Sequence, residues 1–153
     1  MILPVPYVEL PFSSPAFPNV TRTFRPTVKT TLKCGQVHLP FLFESVIDSG
    51  ADQCLFPSAY APFLGIDVAS GPSHQMSGVG SLGRAYFHKV QVTVKVGETL
   101  LQFECYAGFS SLLVSFGLLG RQGFFELFEE VAFDEKAKIV RLNMTSSHKN
   151  PPS

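Results

Sequence analysis

The chain has 153 residues, of which 45% are hydrophobic and 16% charged, with 12 basic and 12 acidic side chains. That is about one domain's length with enough apolar content to bury a core, which excludes a disordered body. The neutral balance gives no counterion-release drive toward nucleic acid and no attraction to an anionic membrane, so neither partner is expected.

The opening stretch MILPVPYVELPF has no basic leader region and no long apolar core. It therefore predicts neither a signal peptide nor a membrane span, and the expected location is cytoplasmic. Residues 1–26 are proline-rich and read as an extended N-terminal arm with one strand, Tyr7 to Leu10. Thr27 to Cys34 alternates apolar and polar positions and predicts a strand. Gly35-Gln36 then suits a tight reversal into a return strand, Val37 to Leu42. Pro40 cannot donate to a ladder, which makes this strand an edge or a bulge. Phe43 to Ile47 continues toward Asp48.

Beyond the next turn, Gln53 to Phe56 predicts a short strand, and Ser58 a cap for a brief helix limited by Pro62. Val90, Val92, Val94 and Val96 alternate with Lys89, Gln91, Thr93 and Lys95, the pattern of a half-buried strand. Gly97-Glu98 turns it into a second strand, Leu100 to Tyr106. Gln122 to Phe128 has helix-like apolar spacing. Val131 to Phe133 and Ile139 to Leu142 bracket the DEKAK turn of a closing hairpin. Residues 144–153 read as a disordered tail. Twelve prolines and twelve glycines punctuating short segments make the expected class all-β.

Cys34, Cys54 and Cys105 are far apart and form no CxxC, so they read as buried thiols in a reducing compartment. The four histidines lack metal-ligand spacing, and no metal is expected. GVGSLG, Gly78 to Gly83, is a literal GxGxxG. A dinucleotide site requires that loop to open a helix, whereas here it opens a valine strand of period two. It reads better as the tip of a β-hairpin.

Asp48-Ser49-Gly50 is composed of turn residues, and alone it reads as a turn. Three features add chemistry. Val46-Ile47 ends an apolar strand at the carboxylate, so Asp48 is expected to be part-buried, which is costly unless the group is bonded or protonated. Asp52 follows four residues on. A second apolar-glycine element, Gly117-Leu118-Leu119-Gly120-Arg121, appears about seventy residues later.

With Val46-Ile47-Asp48-Ser49-Gly50-Ala51-Asp52, Ser77-Gly78-Val79-Gly80 and Leu118-Leu119-Gly120-Arg121-Gln122-Gly123-Phe124 in this order, the chain resembles the retropepsin-like aspartic proteases. These are the single-domain relatives of retroviral protease. The resemblance covers about residues 26 to 143 and implies a domain at 27–143. The implied fold is a closed β-barrel of the acid-protease type with one short C-terminal helix. It implies that Asp48 is the catalytic aspartate and that Ser49, Gly50 and Ala51 form the active-site loop. The Ser49 hydroxyl would bond across a two-fold axis. Asp52 would pair with Arg121 to brace the loop. Gly78, Val79 and Gly80 would form a flap tip over substrate. Gln122 and Ser49 depart from the viral pattern without removing required chemistry.

Aspartic proteolysis needs two carboxylates that share one proton about a water. Only Asp48, Asp52, Asp67 and Asp134 are aspartates, and only Asp48 has this setting. The resemblance therefore implies a homodimer cleaving an extended polypeptide, with no cofactor. The alternative is a catalytically idle dimeric β module that binds extended peptides or assembles partners.

Overall fold

A computed structural model describes residues 1–78 and 81–144. The chain forms two compact units: Met1–Thr27 with the segment beginning at Phe128, and Val28–Leu127.

The first unit holds strands from both ends of the sequence. β1 (Ile2–Pro6) pairs antiparallel with β13 (Ile139–Asn143), and β13 pairs with β12 (Glu130–Asp134). A ribbon of β2 (Val8–Pro11) and β3 (Arg22–Arg25) accompanies them. Residues 1–26 thus carry three strands rather than one. Prolines 4 and 6 concealed β1, which is tolerable because β1 is an edge of its sheet. Leu3, Val5, Val140 and Leu142 point inward and are buried, with Leu3 opposite Leu142 and Val5 opposite Val140. The DEKAK reversal is held by the Ala137 N–H donating to Asp134 Oδ1 at 2.8 Å. Lys138 takes the left-handed backbone that closes it, at φ 56°.

The second unit contains β4 (Thr27–Cys34), β5 (Val37–His38), β6 (Phe43–Ile47), β7 (Leu55–Pro57), β8 (Ser73–Gly78), β9 (Ser81–Val96), β10 (Thr99–Ser110) and β11 (Phe116–Leu119). They lie in the order β5-β4-β6-β11-β7-β10-β9-β8, and β4 also pairs with β9. That extra pairing, Lys29 to Lys33 against Lys95 to Gln91, closes β4, β6, β11, β7, β10 and β9 into a six-stranded barrel. The fold is all-β, as the punctuation of the sequence predicts.

The alternation of valines sets the barrel interior. Val90, Val92 and Val94 are buried with Leu32, Ile47, Phe56, Phe109 and Leu119. Phe56 meets Phe43 edge-on at 5.7 Å between ring centroids, a favoured aromatic geometry. The return strand is only Val37–His38, because Pro40 cannot continue the ladder. The helical spacing of Gln122 to Phe128 yields a single 3-10 turn, Phe125–Leu127. Gly123, at φ 97°, leaves the right-handed helical region and prevents a longer helix. A longer 3-10 segment, Ser58–Leu64, begins at Pro57 without a side-chain cap from Ser58.

Candidate active site

β6 and β11 run parallel through the barrel wall, with Val46 opposite Leu118 and Ile47 opposite Leu119. This crossing carries Asp48 off the end of β6 and Gly120-Arg121 off the end of β11, side by side. The Asp48 N–H donates to the Leu119 carbonyl at 3.0 Å. The Ala51 N–H returns to the Asp48 carbonyl at 3.2 Å, closing a turn. The Gly50 N–H donates to Asp48 Oδ1 at 2.9 Å, the local bond that an aspartate offers its own turn. Asp48 is half-buried, as its apolar approach predicts. Its other oxygen accepts no hydrogen bond from the described residues.

The segment after β11 laces this turn from behind. The Arg121 N–H donates to the Ala51 carbonyl at 2.9 Å, and the Gln122 N–H to the Asp52 carbonyl at 2.8 Å. Arg121 Nε donates to the Ser49 carbonyl at 2.9 Å. The expected Asp52–Arg121 ion pair is not made. Asp52 takes part through its main chain, and the guanidinium finds a carbonyl one turn earlier. Bracing of the loop is therefore mostly backbone work, with Arg121 adding one side-chain bond.

Gly120 is required by this crossing. A β-carbon there would collide with the Gln53 carbonyl and sit 2.8 Å from the Ala51 carbonyl oxygen. Below the turn, Gly117 lets β11 lie close against Ser45 and Phe56.

A cleft of about 290 Å³ opens beside the turn. Gly50, Ala51, Asp52, Gln53 and Leu55 line one side, and His74, Gln75 and Met76 of β8 the other. β8 pairs with β9 as a hairpin, Gly78 opposite Ser81, and it is the terminal strand of the sheet. Of the expected flap tip, Gly78 is placed in β8, while Val79 and Gly80 lie outside the described residues. The structure thus brings Asp48, Ser49, Gly50, Ala51, Asp52 and Arg121 together. It adds His74, Gln75 and Met76, which the sequence reading passed over. Their strand, SHQMSG, has no apolar alternation that would have marked it in the sequence.

Among the described residues no group of three or more His, Cys, Asp and Glu side chains is placed to hold a metal ion. No described helix is long and apolar enough to cross a membrane.

No protein-family model matches this sequence, and no curated protein matches it. Three chains of solved structures match this one. One of them is EIAV protease complexed with the inhibitor HBY-793, at 21% identity and a TM-score of 0.36, covering 63% of this chain and 82% of that one.

Proposed function

We propose that this chain is an aspartic endopeptidase that works as a homodimer, with Asp48 of each copy facing one shared water. The observation that carries this reading is the setting of Asp48. One carboxylate oxygen is fixed by the Gly50 N–H, and the other accepts no bond from the described residues. The turn that holds it is tied to the barrel by four bonds, one that Asp48 donates to the Leu119 carbonyl and three that Arg121 and Gln122 donate to the turn. A carboxylate held this rigidly can be brought to a second one with its orientation already determined, which lowers the cost of assembling a catalytic pair.

In that pair one carboxylate is ionised and removes a proton from the water. The other is protonated and donates toward the scissile carbonyl oxygen. Two carboxylates so close cannot both ionise, and their apparent pKa values belong to the pair. An extended peptide would lie in the cleft and pair with the open edge of β8, while His74, Gln75 and Met76 contact its side chains.

The test compares wild type with Asp48→Asn on a diverse peptide library, with and without a pepstatin-type inhibitor. Inhibitor-sensitive cleavage by wild type and loss of at least about a thousandfold in Asp48→Asn are expected. Cleavage unchanged in the variant sinks the assignment of Asp48. A dimer that cleaves nothing favours the idle peptide-binding module. Activity per chain should also fall on dilution, and full activity in a sedimenting monomer contradicts a shared site.

A further inference from the structure

The sheet of the first unit ends in two edges, β1 and β12, with β13 between them. The two edges differ in what they can bind. The Tyr7 N–H donates to the Lys138 carbonyl at 2.8 Å, and the Met144 N–H to the Met1 carbonyl at 2.9 Å. These bonds bracket the register in which Leu3 faces Leu142 and Val5 faces Val140. In an antiparallel ladder, bonded pairs alternate with non-bonded ones. Leu3 and Val5 therefore direct their main-chain groups to β13, and Ile2, Pro4 and Pro6 turn theirs outward. Proline has no N–H, so of these three only Ile2 offers a donor, and the β1 edge cannot support a full ladder.

The same alternation runs through β13. Val140 and Leu142 face β1, so Ile139, Arg141 and Asn143 face β12, opposite Asp134, Ala132 and Glu130. That leaves the N–H and C=O of Val131 and Phe133 pointing away from the sheet. Neither residue makes a main-chain bond to a described residue outside it. Their side chains lie on the apolar face, opposite the buried Leu142 and Val140, yet Phe133 is 39% exposed. The apolar layer thus runs out at the edge where donors and acceptors are both free.

We propose that β12 pairs antiparallel with β12 of a second copy, joining two three-stranded sheets into one. The edge is complementary to itself. A two-fold axis through Ala132 sets Val131 against Phe133 of the partner copy, and Phe133 against Val131, as bonded pairs. It sets Ala132 opposite itself in a non-bonded pair, where two strands come closest and a small side chain fits. Each Phe133 then covers the Val131 of the other copy and closes the apolar layer. This two-fold match selects a second copy over an unrelated strand. The opposing effect is on the polar face, where Glu130 meets Asp134 of the partner copy. Arg141, 3.0 Å from Asp134, offsets part of that repulsion. The seam therefore tightens with salt, which screens the like charges. It uses no residue of the Asp48 turn and stands whether or not that turn hydrolyses anything.

The experiment measures association of the full chain by sedimentation equilibrium, as wild type and as Asp48→Asn, which should dimerise alike. Phe133→Pro removes an N–H that only the seam uses, on an edge strand that tolerates proline, and should weaken the dimer about thirtyfold. Glu130→Lys turns two repulsive pairs into attractive ones and should tighten it about tenfold. In a Cys34→Ser background, Ala132→Cys should crosslink to its own copy under mild oxidation, because the pair on the axis is close enough for a disulfide. Lys136→Cys, beyond the end of β12, should not. Amide exchange at Val131 and Phe133 should slow as concentration rises. The proposal is overturned if the chain stays monomeric, if Ala132→Cys dimerises without crosslinking, or if folded Phe133→Pro associates as tightly as wild type. These readouts do not involve hydrolysis, so they stand apart from the fate of the Asp48 assignment.

Discussion

Replacing Gly120 by alanine tests the close crossing that builds the candidate site. The new β-carbon meets the main chain of Gln53 and the Ala51 carbonyl, not the far end of a flexible side chain. Relief therefore needs the two segments to part. Overpacking of this kind costs about 1–3 kcal/mol. Parting the segments also stretches Arg121 N–H to Ala51 and Asp48 N–H to Leu119, now 2.9 and 3.0 Å, each contributing about 1 kcal/mol net. The lower chain entropy of unfolded alanine returns about 0.5 kcal/mol. The expected loss is about 3 kcal/mol, or about 6–12 °C in Tm for a chain of this size. Gly35→Ala is the control. Nothing lies within 4 Å of that site, and only its left-handed φ of 58° resists a side chain, so about 1 kcal/mol is expected. Calorimetry of both variants, with amide exchange at Asp48 and Arg121, reads the difference. If Gly120→Ala melts within about 2 °C of Gly35→Ala, the crossing is not tight and the reasoning fails.

Two further outcomes follow from side-chain bonds. Arg121→Ala removes one exposed bond to the Ser49 carbonyl while the main-chain lacing remains, so it should cost at most about 1 kcal/mol. A loss as large as that of Gly120→Ala, by calorimetry, would restore a larger role for its charge. Tyr7, whose hydroxyl donates to Glu135 at 2.8 Å, has its pKa raised from 10.0 to about 12, first by burial and then by that bond. Its contribution is present in full below pH 10 and is lost as the pH rises toward 12. The stability gap between wild type and Tyr7→Phe should therefore narrow across that window in urea titrations. A gap that does not change with pH would refute the assignment.

The strands with a single dominant period were legible. Thr27 to Cys34 alternates throughout and forms β4 with the expected bounds. The valines of β9 were equally plain, but its start at Ser81 was not, since Gly83 and Ala85 have little strand preference and are held by pairing with β8 and β10. β8 itself, SHQMSG, has no apolar rhythm, so the far wall of the cleft could not be read. Asp48 was legible because an apolar strand delivers it to a turn. The partner of Arg121 was not, because sequence spacing does not distinguish a carboxylate from a carbonyl one turn away. Main-chain geometry decided it.

The parallel crossing of β6 and β11 has a bearing on chain entropy. Ser49 and Arg121 are 72 residues apart in sequence. Bringing such distant segments together from an open chain costs about 4 kcal/mol in the logarithmic loop term. With β9 already paired to β4 and to β10 through Lys33, Gln91 and Glu104, the effective loop shrinks to about thirty-five links, and the cost falls by about 0.6 kcal/mol. The turn at Asp48 is thus cheapest to form after the barrel staves around it have joined. Its two halves have little reason to meet in a chain that has made only its local hairpins, so the Asp48 carboxylate is set in place only in a nearly finished fold.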